Sequence, residues 1–263
     1  MFKKELKNNF KSLMIWAVIL SSFFVMIFVI YPTVIDKMDP KLMQSYIESL
    51  PKELIKMMNL DISDIMSAFG WFTSKGFSML ILIGGMYAAI LGGNIFLKEE
   101  NDGTINYLLS KPISRRKIVT NKIMVGLCNI TLLMLFTYVI NLIGFNIIGD
   151  YNFKVLSLLY ITCLLATYAI FGLCLCISSF FRKNKVMNSI AIGFVFFSYI
   201  LQMIGMLAES VSWIKYLSVF EIAPVAYIVE NSAIQPLSII VSALIIIGSL
   251  AVAFYQYDKK EFY

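Results

Sequence analysis

The sequence predicts an all-α integral membrane protein with six spans, and three observations lead there. Of its 263 residues, 59% are hydrophobic and only 14% are charged, with a mean hydropathy of +0.81; so apolar a chain cannot keep a soluble surface. Its apolar residues gather into six stretches of the length a helix needs to cross a bilayer, about 20 residues. Lys and Arg cluster at alternate ends of those stretches, 15 on one side and 7 on the other, and with Asp and Glu included the two sides carry +9 and −3. The more basic side is cytosolic by the positive-inside rule, which puts both termini inside.

The first element is a basic amphipathic helix over 1–12. Phe2, Leu6, Phe10 and Leu13 are spaced 4, 4 and 3 apart while Lys3, Lys4, Lys7 and Lys11 occupy other faces, the pattern of an interfacial helix on anionic lipid. Span 1 follows over 13–35. It is longer than the ~7 to 15 apolar residues of a secretory signal and lacks a small-x-small cleavage site, so it is read as uncleaved. The connection 36–75 carries two helical stripes, Leu42, Met43, Tyr46, Ile47 and Leu50, then Leu54, Ile55 and Met58 after Pro51. It reads as an outer helical loop whose five Met (38, 43, 57, 58, 66) suit packing against span ends. Trp71 and Phe72 mark the outer headgroup level.

Span 2, over 76–97, carries two rows of small residues at intervals of four, Gly84, Ala88, Gly92 and Gly85, Ala89, Gly93. Such rows let a second helix approach closely, inside the subunit or across a dimer. With Asn94 and Asn129 they are the candidate residues for helix packing or a substrate pathway. Span 3 covers 123–148 and contains Asn129, Asn141 and Asn146. Span 4 covers 155–181, closed by the basic run 182–185, and span 5 covers 186–207. Residues 208–235 form a second outer segment, a broken or re-entrant hairpin with aromatic anchors, before span 6 over 236–257. No charge lies deep in any span, which speaks against a buried proton or ion relay. The whole is one transmembrane domain.

Several chemistries are excluded. The net charge of +6 comes from residues at span ends, so it reports topology and not a nucleic-acid face. Cys128, Cys163, Cys174 and Cys176 lie inside spans, and Cys174 and Cys176 point to different sides of a helix, so neither a disulfide framework nor a metal site is expected. There is no His, the commonest metal ligand and general base. No Gly-Lys pair occurs, hence no phosphate-cradling loop. The chain is read as no enzyme and as binding no cofactor of its own. An intramembrane enzyme lacks its base; a secondary carrier or channel lacks embedded charges, paired broken spans and an internal repeat.

The loop 98–122 is the polar exception. Asp102 and Gly103 supply a helix start, after which Ile105, Leu108 and Leu109 share one face. Pro112 ends that helix, and Ser114 caps another whose first turn is Arg115, Arg116 and Lys117. Here the chain resembles the type 2 ABC (ABC-2 type) export permeases, whose first cytosolic loop carries a Glu, Gly-Thr, Leu-Leu-Ser-x-Pro and Ser-Arg. The matching residues are Glu99, Gly103, Thr104, Leu108, Leu109, Ser110, Pro112, Ser114 and Arg115, with Glu100, Ile105 and Arg116 beside them.

The resemblance implies a coupling helix that docks into a cleft of a separate ATPase subunit, which binds ATP and Mg. It further implies two ATPase copies, a second permease copy, most simply a homodimer, and a bacterial cytoplasmic membrane. The helical first outer loop is similar to exporters of amphipathic or antimicrobial peptides and toxins, with drugs also admissible. Lipid or polysaccharide export by the same family is the alternative.

Overall fold

The computed structural model describes residues 2–32, 45, 49, 67–105, 114–149, 151–181, 184–207 and 209–259. The outer helices expected within 36–66, with their methionines, lie outside these, as do Leu108, Leu109, Ser110, Pro112 and the run 182–183. No strand occurs among the described residues. Six helical stretches are long and apolar enough to cross a membrane, as the hydropathy pattern predicts.

The elements are α1 (Phe2–Ile30), α2 (Ala68–Trp71), a π-helical turn (Phe72–Gly76), α3 (Phe77–Asn94), α4 (Lys98–Asn101), α5 (Arg115–Ile148), α6 (Phe153–Ser178), α7 (Asn184–Leu207), α8 (Val225–Asn231) and α9 (Pro236–Lys259). Spans 1 to 6 are α1, α2–α3, α5, α6, α7 and α9. Between α7 and α8 lie two 3-10 stretches, Glu209–Leu217 and Val219–Ile222. The chain bends there by 82°, the broken segment expected before span 6. At the bend Ser218 donates its hydroxyl to the Ser198 carbonyl at 2.7 Å and accepts from the Phe220 N–H at 3.1 Å.

Caps, more than hydropathy, decide where the spans begin. Ser67 accepts from the Gly70 N–H at 2.9 Å and starts span 2 nine residues before the apolar run at 76. Thr73 and Ser74 survive inside that helix because their hydroxyls donate to the carbonyls of Gly70 and Trp71. Ser114 accepts from the Lys117 N–H at 3.4 Å, and its helix runs on into span 3 without a break. Asn152 accepts from Lys154 and Val155 and starts span 4.

Two N-terminal expectations need correction. The basic stretch and span 1 are one helix of 29 residues from Phe2, roughly 43 Å long at 1.5 Å per residue, so residues 2–12 are the first three turns of a rod longer than the ~30 Å hydrocarbon. Its protein-facing row is Glu5, Leu13, Ala17, Leu20 and Phe24, whereas Phe10, placed by spacing on the apolar row, is 56% exposed. The two rows share Leu13, and the helix turns its Leu13, Ala17, Leu20 and Phe24 side toward the protein, which leaves Phe10 outside.

Span 2 is central, between α6 and α7; α6 also packs on α9, and α1 lies along α5. Spans 2 and 4 are mostly buried, and spans 1, 5 and 6 mostly exposed, with apolar outward faces such as Val18, Val25, Phe197, Leu244 and Ile247. Phe72 does not mark a headgroup level. It is buried among Phe24, Phe77 and Phe145, with ring centroids 5.3 to 6.5 Å apart, because the π turn rotates it inward.

Candidate functional site

Contacts define one end of the bundle. Glu5 of α1 meets Lys122 of α5, Arg116 of α5 meets Asp258 of α9, Asn94 of α3 meets Asn188 of α7, and Ser178 of α6 meets the Gly92 carbonyl. The amino terminus, the carboxy-terminal helix and the loop between spans 2 and 3 therefore share the basic end.

The base of that loop is built from α3 outward. The turn Ile95–Leu97 continues the helical path, with Ile95, Phe96 and Leu97 all buried, and the Phe96 ring packs tilted against Tyr257 of α9, centroids 4.9 Å apart. Then α4 begins, carrying Glu99 and Glu100. It stops at Gly103, where the Thr104 N–H bonds the Glu99 carbonyl at 2.9 Å and the Gly103 N–H bonds that of Glu100 at 3.4 Å. This 6→1 and 5→2 pair is a Schellman ending, and Gly103 sits in the left-handed region at φ 66. Gly103 thus ends α4, and the chain is helical again at Ile105, so the Asp102-Gly103 turn closes one helical stretch and leads into the next.

The residue that sequence reading passed over is Lys122, counted there as a loop charge. It is fully buried. Its Nζ donates to both Glu99 oxygens at 2.6 Å and to the Ile95 carbonyl at 2.6 Å, and Glu5 Oε1 stands 3.9 Å away. Two partners are carboxyl groups, of which Glu5 is pushed above its usual range by burial, and the third is the carbonyl end of α3, where the helix dipole favours a cation. Removing one member of such a buried set leaves the others uncompensated, at about 3 to 5 kcal/mol. The signal was present in the sequence: Lys122 falls on the buried row of α5 with Ile118, Val125 and Asn129, at intervals of 4, 3 and 4. A lysine on an apolar row demands a partner.

The other predicted loop residues divide. Thr104 is exposed, while Ile105 is only 7% exposed; Leu108 and Leu109, expected on its face, lie outside the described residues. At the far side of the loop, Arg115 donates to the Asp258 carbonyl and the Arg116 guanidinium pairs with the Asp258 carboxylate, both at 3.1 Å. Arg116 is 82% exposed at its side chain, so its pair is worth under about 1 kcal/mol. The loop is therefore fixed strongly where it leaves span 2 and lightly where it enters span 3.

The small-residue rows of span 2 are filled from within the subunit. A Cβ on Gly84 would meet Met134 and one on Gly85 would meet Ile170, while Gly92 lies against the backbone of Phe171 and Leu175 and Gly93 against Met187. Ala88 and Ala89 are wholly buried. Asn94 donates to Asn188 at 2.6 Å, Asn129 to its own helix at Val125, and Asn141 to Tyr160 of α6 at 2.9 Å. These asparagines join or stiffen helices; Asn146 is exposed and bonds the Leu142 carbonyl of its own helix. Cys174 is buried and Cys176 half-buried, and both are free. No group of three metal-ligating side chains occurs among the described residues.

A bundle with six helices long and apolar enough to cross a membrane and a polar loop anchored at one end defines a multi-pass membrane protein. A family model for ABC-2 family transporter proteins matches residues 1–262, and the chain belongs to that family. It is a membrane permease of an ABC transporter, and the family implies an ABC ATPase partner in general. No curated protein matches the chain.

Gly103 supports a direct test of the loop geometry. No atom lies within 4 Å of a Cβ added there, so substitution meets only backbone strain. Gly103→Ala is expected to cost about 1 to 2 kcal/mol locally and Gly103→Asn much less. Limited proteolysis of the loop reads this, with faster cleavage in the alanine variant alone.

Proposed function

We propose that this chain is the membrane-spanning subunit of an ATP-driven exporter that moves a hydrophobic or amphipathic substrate, an antimicrobial or toxin peptide or a drug, out of the cytoplasm. Two copies form a homodimer over two ATPase copies, which supply the ATP and Mg sites. The basic end, with both termini, faces the cytosol of a bacterial cell. The observation that carries the reading is the loop between spans 2 and 3, whose apolar segment is held at its base by the buried Lys122–Glu99 pair. A loop fixed in this way can pass a push from a docked ATPase into the helices, as a coupling helix does. The apolar character of the substrate is supported by the exposed faces of spans 1 and 5, which two copies would bring together as a lipid-accessible cleft.

The test uses inverted membrane vesicles carrying the permease and the ATPase encoded beside it. A fluorescent amphipathic peptide is expected to accumulate only with ATP, and cysteines replacing Ser45 and Ser232, in a chain freed of its native cysteines, should label from outside intact cells while one at Ser110 should not. Accumulation without ATP, transport restricted to a soluble sugar, or outside labelling at Ser110 would overturn the reading.

A further inference from the structure

Lys122 is joined to three separate pieces of chain. Its ammonium bonds Glu99 in the loop after span 2, the last carbonyls of span 2 at Ile95, and stands within ion-pair distance of Glu5 on α1. Its own backbone lies two turns inside span 3. Without it, Glu5 would face Glu99 with no cation between them, and burial together with the Glu99 charge already raises the Glu5 carboxyl above its usual range. Elsewhere α1 packs mainly on α5 and only slightly on span 2, so the charge cluster is the main polar link between the N-terminal helix and the loop.

We propose that Lys122 is a positioning residue that locks the first turns of α1, the root of the loop and the start of span 3 into one rigid block, so that a displacement of the loop is carried to span 1 as well as span 3. The transmission half rests on the coupling role proposed above; the locking half does not. A lone apolar contact would let these elements slide, whereas a buried cation shared among a helix end and two carboxylates has one arrangement that satisfies all partners. A buried charge also imposes a penalty on any opening that leaves it unpaired, which favours movement of the block as a whole. Span 1 is among the most exposed helices of the subunit, so it is free to follow.

The experiment places spin labels at Lys7 and Thr120, both exposed, in a cysteine-free chain in lipid nanodiscs. The distance distribution should be narrow in the parent and broad in Lys122→Met/Glu99→Gln, a neutral pair that removes the lock without leaving these two charges unpaired. Should that variant fail to reach the membrane, Glu5→Gln carries the test, because it leaves the Lys122–Glu99 pair intact and should broaden the same distribution. An unchanged distribution in the variant measured overturns the lock. With the ATPase bound, the ratio of peptide transported to ATP hydrolysed should fall about tenfold in the neutral pair, the size of an ordinary coupling free energy; an unchanged ratio overturns the transmission. Should no ATPase associate with the parent chain, the exporter reading fails, and the distance measurement alone still decides the lock.

Discussion

Gly92→Val is expected to prevent stable assembly of the permease. A Cβ at position 92 would lie 2.5 Å from the Phe171 carbonyl oxygen and 3.2 Å from the Leu175 nitrogen. Both atoms belong to the α6 backbone, so no rotamer change relieves them and spans 2 and 4 must part. These are the two most buried spans, and their separation also breaks the 3.3 Å bond from the Ser178 hydroxyl to the Gly92 carbonyl. Overpacking usually costs 1 to 3 kcal/mol, and with a backbone wall the upper end of that range, about 3 kcal/mol or more, is expected. Gly84→Ala makes the comparison. Its Cβ would approach Met134 Cε, again at 2.5 Å, but the methyl end of a flexible side chain can withdraw, and the loss should stay near 1 kcal/mol. Gly248→Ala meets nothing within 4 Å and is expected to be neutral or slightly stabilising through helix propensity. Membrane level and detergent melting of the three variants check the order; a Gly92→Val protein that melts with the parent would refute the close approach of spans 2 and 4.

The spans were legible because a bilayer demands about 20 apolar residues whatever lies around them. Their ends were less so. Span 2 starts at Ala68 and not near 76 because Ser67 caps it and because Thr73 and Ser74 return their hydroxyls to the helix, which a hydropathy reading scores simply as polar residues. Phe10 and Phe72 show the complementary error. Spacing says which residues share a face, but which face meets protein depends on what packs there, and that is set by α5 beside α1 and by the aromatic cluster around Phe72. Lys122 was misplaced for a different reason. Counting it with the loop used its charge as a topology signal, yet its position on the row of Ile118, Val125 and Asn129 already required burial, and burial of a lysine required an acid. Glu99 was singled out through the family resemblance; its partner could have been named from helical spacing alone. Glu5 could not, because nothing local in the sequence brings α1 to span 3.

Leu108→Asp is expected to separate the permease from its ATPase while leaving the permease itself folded. Leu108 and Leu109 lie outside the described residues, so the expectation rests on sequence and on what frames them. The loop root is held by Glu99 and Lys122 and its exit by Arg115 and Arg116 on Asp258, and none of these anchors involves Leu108. A charge placed there should therefore not melt the bundle, and detergent melting should match the parent. Docking is another matter. Two leucines buried at an interface are worth about 3 to 6 kcal/mol, and an unpaired carboxylate in the same notch adds a desolvation penalty. The couplings that must cross the contact are about 1 to 3 kcal/mol, so losing the contact exceeds them, and both ATPase co-purification and substrate-stimulated hydrolysis should fall to background. Ile105→Ala should behave differently. Ile105 is buried, at 7% exposed, so its truncation should lower the melting temperature and leave the ATPase attached. Lys117→Ala, at an exposed position, should change neither by more than about 0.5 kcal/mol. Full stimulation and transport in Leu108→Asp, at matched membrane levels, would place the ATPase contact elsewhere on the basic end and leave the anchored loop without the coupling role assigned to it.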